Sequence, residues 1–197
     1  MMIPIAIFAS GTGTNATKII EHFKDHTRIK VALVVSNKRD AGVLDIARQH
    51  DIPTLLIKRD SFYHSNEILF HLEEVGIKCI ILAGFLWLIP SYLVRSYPGK
   101  MINIHPALLP KYGGKGMYGM RVHEAVHRAS EKESGITIHF VNEHYDEGAI
   151  IFQVACPLTN DDTPEDIRQK VQKLEHTYFP RIAEKVILKE KIKSLYP

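Results

Sequence analysis

The chain has 197 residues, 45% of them apolar, and a net charge of +3. That is enough to bury a sizeable core as one domain, and no repeat or low-complexity tract interrupts it. Its basic residues are scattered rather than striped, which disfavours nucleic acid and suits small anionic ligands, and no apolar run reaches the ~20 residues of a bilayer span.

The start, "MMIPIAIFASGTG", lacks a basic leader and goes directly into a strand and turn, so no signal peptide and a cytoplasmic location are expected. "PIAIFAS", Pro4 to Ser10, is short, apolar and ended by glycine, the pattern of a buried parallel strand. "TNATKIIEHFKDH" places Ile19, Ile20 and Phe23 at helical spacing, and "IKVALVVSNK" reads as a second buried strand. "AGVLDIARQH" is a helix with Val43, Leu44 and Ala47 on one face, "IPTLLI" a third strand, and "SNEILFHLEEVG" a helix stopped by Gly76. "IKCIILAGF" and "GKMINIH" are two more strands around the short helical piece "IPSYLVRSY". This alternation predicts an α/β fold: a doubly wound, mostly parallel, Rossmann-like sheet covered on both faces.

The pattern changes after Gly116. "RVHEAVHRASEK" is helical, while "SGITIHFVNE" and "AIIFQVACPL" alternate around "HYDEG" and predict an antiparallel strand pair. The final helix is "DDTPEDIRQKVQKLEHTYFPRIAEKVIL", with Thr163 as N-cap, Pro164 as first residue, Asp166 as capping-box partner, and a kink or interruption expected at Pro180. The basic run "LKEKIKS" reads as a solvated helix end. Cys79 and Cys156 lie in apolar strand-like runs and read as buried, inert thiols.

"SGTGTN", Ser10 to Asn15, joins the first strand to the first helix, where a doubly wound fold presents helix-terminal N–H groups to phosphate. A third glycine and an acid ending the second strand are both missing, as is a Gly-Lys-Ser/Thr, so the loop suits one phosphate rather than a dinucleotide. A ligand-free turn is the plain alternative. "HEAVH", His123 to His127, matches the two-histidine zinc helix of metallopeptidases. The third ligand of such enzymes belongs on a helix, however, whereas Glu143 to Glu147 follow an alternating strand, so no metal is expected.

"NIHPALLP" ends a strand with Asn103 and His105 two residues apart, and residues i and i+2 of a strand share a side. Ligand sites in open α/β sheets gather beyond such strand ends, and Asp146 in "HYDEG" is a third candidate. Taken one at a time, His105 reads as a satisfied core histidine and Asp146 as a turn residue.

The stretches "FASGTGTN", "VVSNKRDAGVLDIA", "LAGFLWLI", "NIHPALLPKYGGKGMYG", "HFVNEHYDEGAIIFQ" and "VQKLEHTYFP" together resemble the folate-dependent phosphoribosylglycinamide formyltransferase family over essentially the whole chain. The resemblance implies a single formyltransferase domain over 1–197, with phosphate-binding βαβ units in its N-terminal half and the folate site and final helix in its C-terminal half. It implies transfer of a formyl group from 10-formyltetrahydrofolate, a co-substrate, to the amine of glycinamide ribonucleotide. Asn103, His105 and Asp146 are then the catalytic set, with the Asn103 amide and a protonated His105 donating to the tetrahedral oxyanion. Gly13, Thr14 and Asn15 match the family's phosphate loop. Gln172 and Glu175, three apart on one helix face, match its ribose contacts, although spacing alone reads them as a solvated pair. Leu86, Trp87, Leu88 and Ile89, with Asn103, correspond to the folate site, whose 86–89 segment reads the pterin mainly by backbone. Relatives often carry Arg where Trp87 stands and a basic residue at Asn66. A cis Leu109–Pro110 bond is expected beside the catalytic groups. Small molecules are the expected partners, without nucleic acid or membrane, for a monomer or homodimer. The rivals are methionyl-tRNA formyltransferase, formyltetrahydrofolate deformylase, a zinc peptidase and a non-catalytic nucleotide-binding module.

Overall fold

The computed structural model describes residues 2–192, which divide into two compact units, 2–102 and 103–192. The first unit begins with β1 (Ile3–Phe8), α1 (Thr14–Phe23), β2 (Ile29–Ser36), α2 (Gly42–Gln49) and β3 (Thr54–Leu56). It continues through α3 (Arg59–His64), α4 (Glu67–Glu74), β4 (Cys79–Leu82) and α5 (Ser91–Ser96). Its strand order is β3-β2-β1-β4, and every one of these pairs is parallel. Ile5, Ala6, Ile7 and Phe8 of the central β1 are fully buried, as expected of a strand covered on both sides. α1 buries Ala16, Ile19, Ile20 and Phe23, and α2 buries Val43, Leu44 and Ala47. Each large side chain so buried contributes about 1.5–3 kcal/mol.

α3 is an element that sequence periodicity does not announce. Its six residues carry a single buried anchor, Phe62, whose carbonyl accepts the Tyr92 hydroxyl at 2.9 Å. One apolar residue in so short a run sets no period, so the helix depends on that anchor and on tertiary contact.

β5 (Met101–His105) leads into the second unit, which holds α6 (Met120–Arg128), β6 (Glu133–Phe140), β7 (Ile150–Pro157) and α7 (Pro164–Leu188) in the order β5-β6-β7. β6 and β7 pair antiparallel, with a register shift between Ile138 and His139. α7 packs on α6 and β6. It opens with the expected capping box: the Thr163 hydroxyl accepts the Asp166 N–H, and Asp166 Oδ2 accepts the Thr163 N–H at 2.9 Å.

Pro180 does not interrupt α7, which runs through it for 25 residues. A proline in a helix interior costs about 3 kcal/mol. Burial of its neighbours Phe179, Ile182 and Ala183 offsets that cost. Of the basic run "LKEKIKS", Leu188 closes the helix, while Lys193 and Ser194 lie outside the described residues.

Candidate active site

Two buried threads hold the residues beyond β5 in place. Leu109–Pro110 is cis, as expected. The fully buried Thr137 hydroxyl of β6 donates to the Ala107 carbonyl at 2.6 Å and accepts the Leu109 N–H at 2.9 Å. From β7 the Gln153 amide donates to both the Leu109 carbonyl and Thr137 Oγ1, each at 2.9 Å. The proline turn is thus tied to the β6–β7 pair. The second thread is the return after β6. Phe140 N–H donates to the Ala149 carbonyl at 2.9 Å, and a Cβ on Gly148 would run into the Phe140 carbonyl oxygen. Only glycine fits there, and Asp146 is carried into the site just before it with φ at 58°.

Asn103, His105 and Asp146 meet, as the period-two reading requires. The Asn103 amide donates to Asp146 Oδ1 at 3.3 Å, and His105 Nδ1 lies 3.5 Å from Asp146 Oδ2. Asp146 Oδ2 also accepts the Gly114 N–H at 3.0 Å. A fourth member, His139, escapes sequence reading. Its Nδ1 lies 2.8 Å from the Phe140 carbonyl, so that nitrogen carries the proton and Nε2 accepts from the Asn103 amide at 3.0 Å. His139 Nε2 is also 3.6 Å from Asp146 Oδ1.

In the resting site these polar groups are engaged with one another. Both hydrogens of the Asn103 amide are directed within the protein, one to His139 and one to Asp146. His105 Nε2 is likewise engaged, 2.8 Å from the Tyr112 carbonyl. Burial, the largest influence, holds the His105 ring below the ordinary histidine value, although Asp146 and the Tyr112 carbonyl pull the other way. The resting site therefore does not hold a freely offered imidazolium. Burial also pushes the Asp146 carboxyl up, but His139, His105 and the Gly114 N–H together outweigh it and keep it below the usual carboxylate value. Asp146 is ionised at neutral pH.

Gln172 and Glu175 lie half-buried on α7. Gln172 Oε1 accepts from Arg168 at 3.3 Å, and the Glu175 charge adds to the field that raises the Arg168 guanidinium. Of the zinc-like pair, His123 is buried and His127 exposed, and no group of three or more His, Cys, Asp or Glu among the described residues is placed to hold a metal.

In the first unit the glycine loop is shaped as a helix entrance. Gly13 has φ at 85°, and a Cβ there would lie 2.9 Å from Val43 and Ile46. Its carbonyl accepts the Thr17 N–H at 2.8 Å, but no side chain caps α1, so the N–H groups of its first turn stay available. The Asn15 Oδ1 is buried without a hydrogen-bond partner. The segment 86–89 is stitched to this loop: the Ser10 hydroxyl accepts the Leu86 N–H at 3.0 Å. The Leu88 carbonyl accepts the Tyr63 hydroxyl at 3.0 Å. Trp87 packs among Phe62, Tyr63 and Phe85.

The thiols differ from each other. Cys79 is buried, donates to the Lys100 carbonyl at 3.0 Å, and is pushed up to about 12 by burial. Cys156, on β7, is only half-buried, and the expectation of two sealed thiols holds for Cys79 alone.

A family profile described as formyl transferase matches residues 3–183. The chain is 41% identical to the chloroplastic phosphoribosylglycinamide formyltransferase of Arabidopsis thaliana, over 96% of this chain and 66% of that protein. It is 35% identical to the phosphoribosylglycinamide formyltransferase of Bacillus subtilis, over 94% of this chain and 95% of that protein. The crystal structure of phosphoribosylglycinamide formyltransferase from Anaplasma phagocytophilum superposes with a TM-score of 0.86 at 29% identity, covering 96% of this chain and 88% of that one. The chain spans 66% of the Arabidopsis thaliana protein and 59% of the chloroplastic phosphoribosylglycinamide formyltransferase of Vigna unguiculata, less than two thirds of each. On these matches, the chain belongs to the formyl transferase family, alongside its phosphoribosylglycinamide formyltransferases.

Proposed function

We propose that the protein transfers the formyl group of 10-formyltetrahydrofolate to the amine of glycinamide ribonucleotide, a step of purine biosynthesis. The observation that carries this reading is the set in which Asp146 reaches both Asn103 and the buried His105. In the first unit, Gly13, Thr14 and Asn15 take the phosphate on the uncapped start of α1, and the 86–89 backbone takes the pterin. In the second, Gln172 and Glu175 serve the ribose.

The amine nitrogen bonds to the formyl carbon while the carbonyl electron pair moves onto oxygen. Collapse of that tetrahedral species breaks the bond to the folate nitrogen, which takes up a proton to balance the one the amine loses. Asn103 exchanges its longer contact, the 3.3 Å bond to Asp146, for the oxyanion. Negative charge developing beside His105 raises the ring's proton affinity, so the ring takes up the proton that Asp146 relays from the amine and passes it to the folate nitrogen as the tetrahedral species collapses. Ionised Asp146 holds that ring and receives the amine's proton through water. We take the substrates to be small molecules in the cytoplasm, without nucleic acid, and the protein to be a monomer or homodimer; the net charge of +3 fits small anionic ligands.

Absorbance of the released folate, followed with and without glycinamide ribonucleotide, tests the reading. Release that requires the ribonucleotide is expected. Release in its absence indicates a deformylase instead.

A further inference from the structure

His105 is steered by a carbonyl as well as by a carboxylate. A carbonyl oxygen only accepts, so the 2.8 Å contact between His105 Nε2 and the Tyr112 carbonyl places a hydrogen on Nε2. In the neutral ring Nδ1 is then bare, and it faces Asp146 Oδ2 at 3.5 Å. The nitrogen open to a proton is therefore the one on the Asp146 side, where the amine's proton arrives. The other titratable groups that act on this ring or feel it are His139, which opposes its protonation, and His123, whose own value His105 helps to lower.

The Tyr112 carbonyl holds this direction from an unfavourable backbone. Tyr112 has φ at 57°, in the left-handed region, which a bulky side chain rarely enters unless its surroundings impose it. A cavity of about 250 Å³, lined by Leu109, Pro110, Tyr112, Val126, Glu131 and Ser134, opens on one side of the residue, so close packing does not impose it there. What reaches Tyr112 instead is Glu131, whose Oε1 accepts both the phenol hydroxyl and Lys111 Nζ, each at 2.8 Å. Lys111 first and Tyr112 second hold that carboxyl below its usual value, so it is ionised at neutral pH and accepts strongly. Glu131 is itself fixed by the end of α6. There the Ser130 N–H donates to the His127 carbonyl at 2.9 Å and the Glu131 N–H to the Val126 carbonyl at 3.4 Å, while Ser130 turns left-handed with φ at 50°.

We infer that Glu131, acting through the Tyr112 hydroxyl, is a positioning residue for His105: it fixes the carbonyl that selects the ring's tautomer, and so the nitrogen that exchanges a proton with Asp146. Its consequence for turnover rests on the formyl-transfer reading above, whereas the tautomer is a property of the free protein.

Long-range proton–nitrogen NMR of the imidazoles reads the tautomer directly, with the His105 signals assigned by their loss in His105→Gln. The wild type at neutral pH is expected to show a neutral His105 with its hydrogen on Nε2. Glu131→Ala and Tyr112→Phe are expected to mix the two tautomers and to lower kcat about tenfold, the scale of one supporting hydrogen bond, with both KM values within about twofold. Because the carbonyl also raises the ring's proton affinity, the His105 titration should move to lower pH in both variants. Glu131→Gln, whose amide oxygen still accepts the hydroxyl, is expected to recover most of the rate. Lys111→Met leaves that bond in place and should stay within about twofold of wild type. Glu131 is partly exposed, so Glu131→Ala decides alone if Tyr112→Phe does not fold. A wild-type ring with its hydrogen on Nδ1 overturns the inference, as does a loss of kcat in Glu131→Ala with tautomer and titration unchanged, which reduces Glu131 to a fold contact. The expected tautomers in a wild type that performs no ribonucleotide-dependent transfer support the inference and overturn the reading beneath it.

Discussion

Asp146 gathers the polar groups of the second unit: it accepts from Asn103 and from the Gly114 N–H, and two imidazoles face it. An amide at this position would turn a donor toward the Asn103 amide and remove the charge that steadies His105. Asp146→Asn and Asn103→Ala are therefore expected to lose about 10²–10³ in turnover, the cost of an oxyanion contact, in proteins that still fold. His139→Gln should lose about tenfold, because it unmoors the Asn103 amide without touching a reacting atom. Steady-state assays beside thermal melts check all three, and near-normal turnover removes a residue from the set. Asn103, His105 and Asp146 were legible because a period of two and a turn after an alternating strand both show in sequence. His139 was not, being one of 11 histidines in a strand that reads as ordinary β-structure. Thr137 and Gln153 were invisible for a related reason. Their work comes from standing opposite each other across β6 and β7, and one strand's pattern does not reveal its register with another.

At the level of elements, punctuation was read more securely than continuity. Glycine after β1 and Thr163 before α7 are local signals, and each acts where it was expected. The passage of α7 through Pro180 and the existence of α3 are set by burial of Phe179 and Phe62, which local chemistry does not display. The β1–α1 turn supports a sharper test. With φ at 85° and Val43 and Ile46 at 2.9 Å from a Cβ, Gly13→Ala forces both a strained backbone and a parting of the turn from α2. Thermal unfolding should show a loss of about 1–3 kcal/mol. Titration calorimetry should show weaker binding of glycinamide ribonucleotide, with folate binding less affected.

For the molecule as a whole, the titrating groups of the second unit set the response to acid. Burial, reinforced by Arg168 and His105 and opposed by Glu165, lowers His123 to about 4 from 6.5. Above pH 6.5 both folded and unfolded chains leave this ring neutral, and it contributes no pH dependence. Between 6.5 and about 4 the unfolded chain binds a proton that the folded chain refuses, so stability falls as pH falls, and the loss levels off below. The lowered His105 acts in the same sense, and the lowered Asp146 withdraws its own stabilisation as pH drops through its folded value. Melting curves across this window should show a loss on the order of 2 kcal/mol from His123. His123→Leu should flatten the slope.

β3 closes one flank of the sheet with only three residues, Thr54–Leu56. A border so brief presents too few unpaired amides and carbonyls to template a foreign strand, and a single exposed leucine, Leu56, makes a poor adhesive. On that flank the protein is guarded against edge-to-edge aggregation by shortness alone.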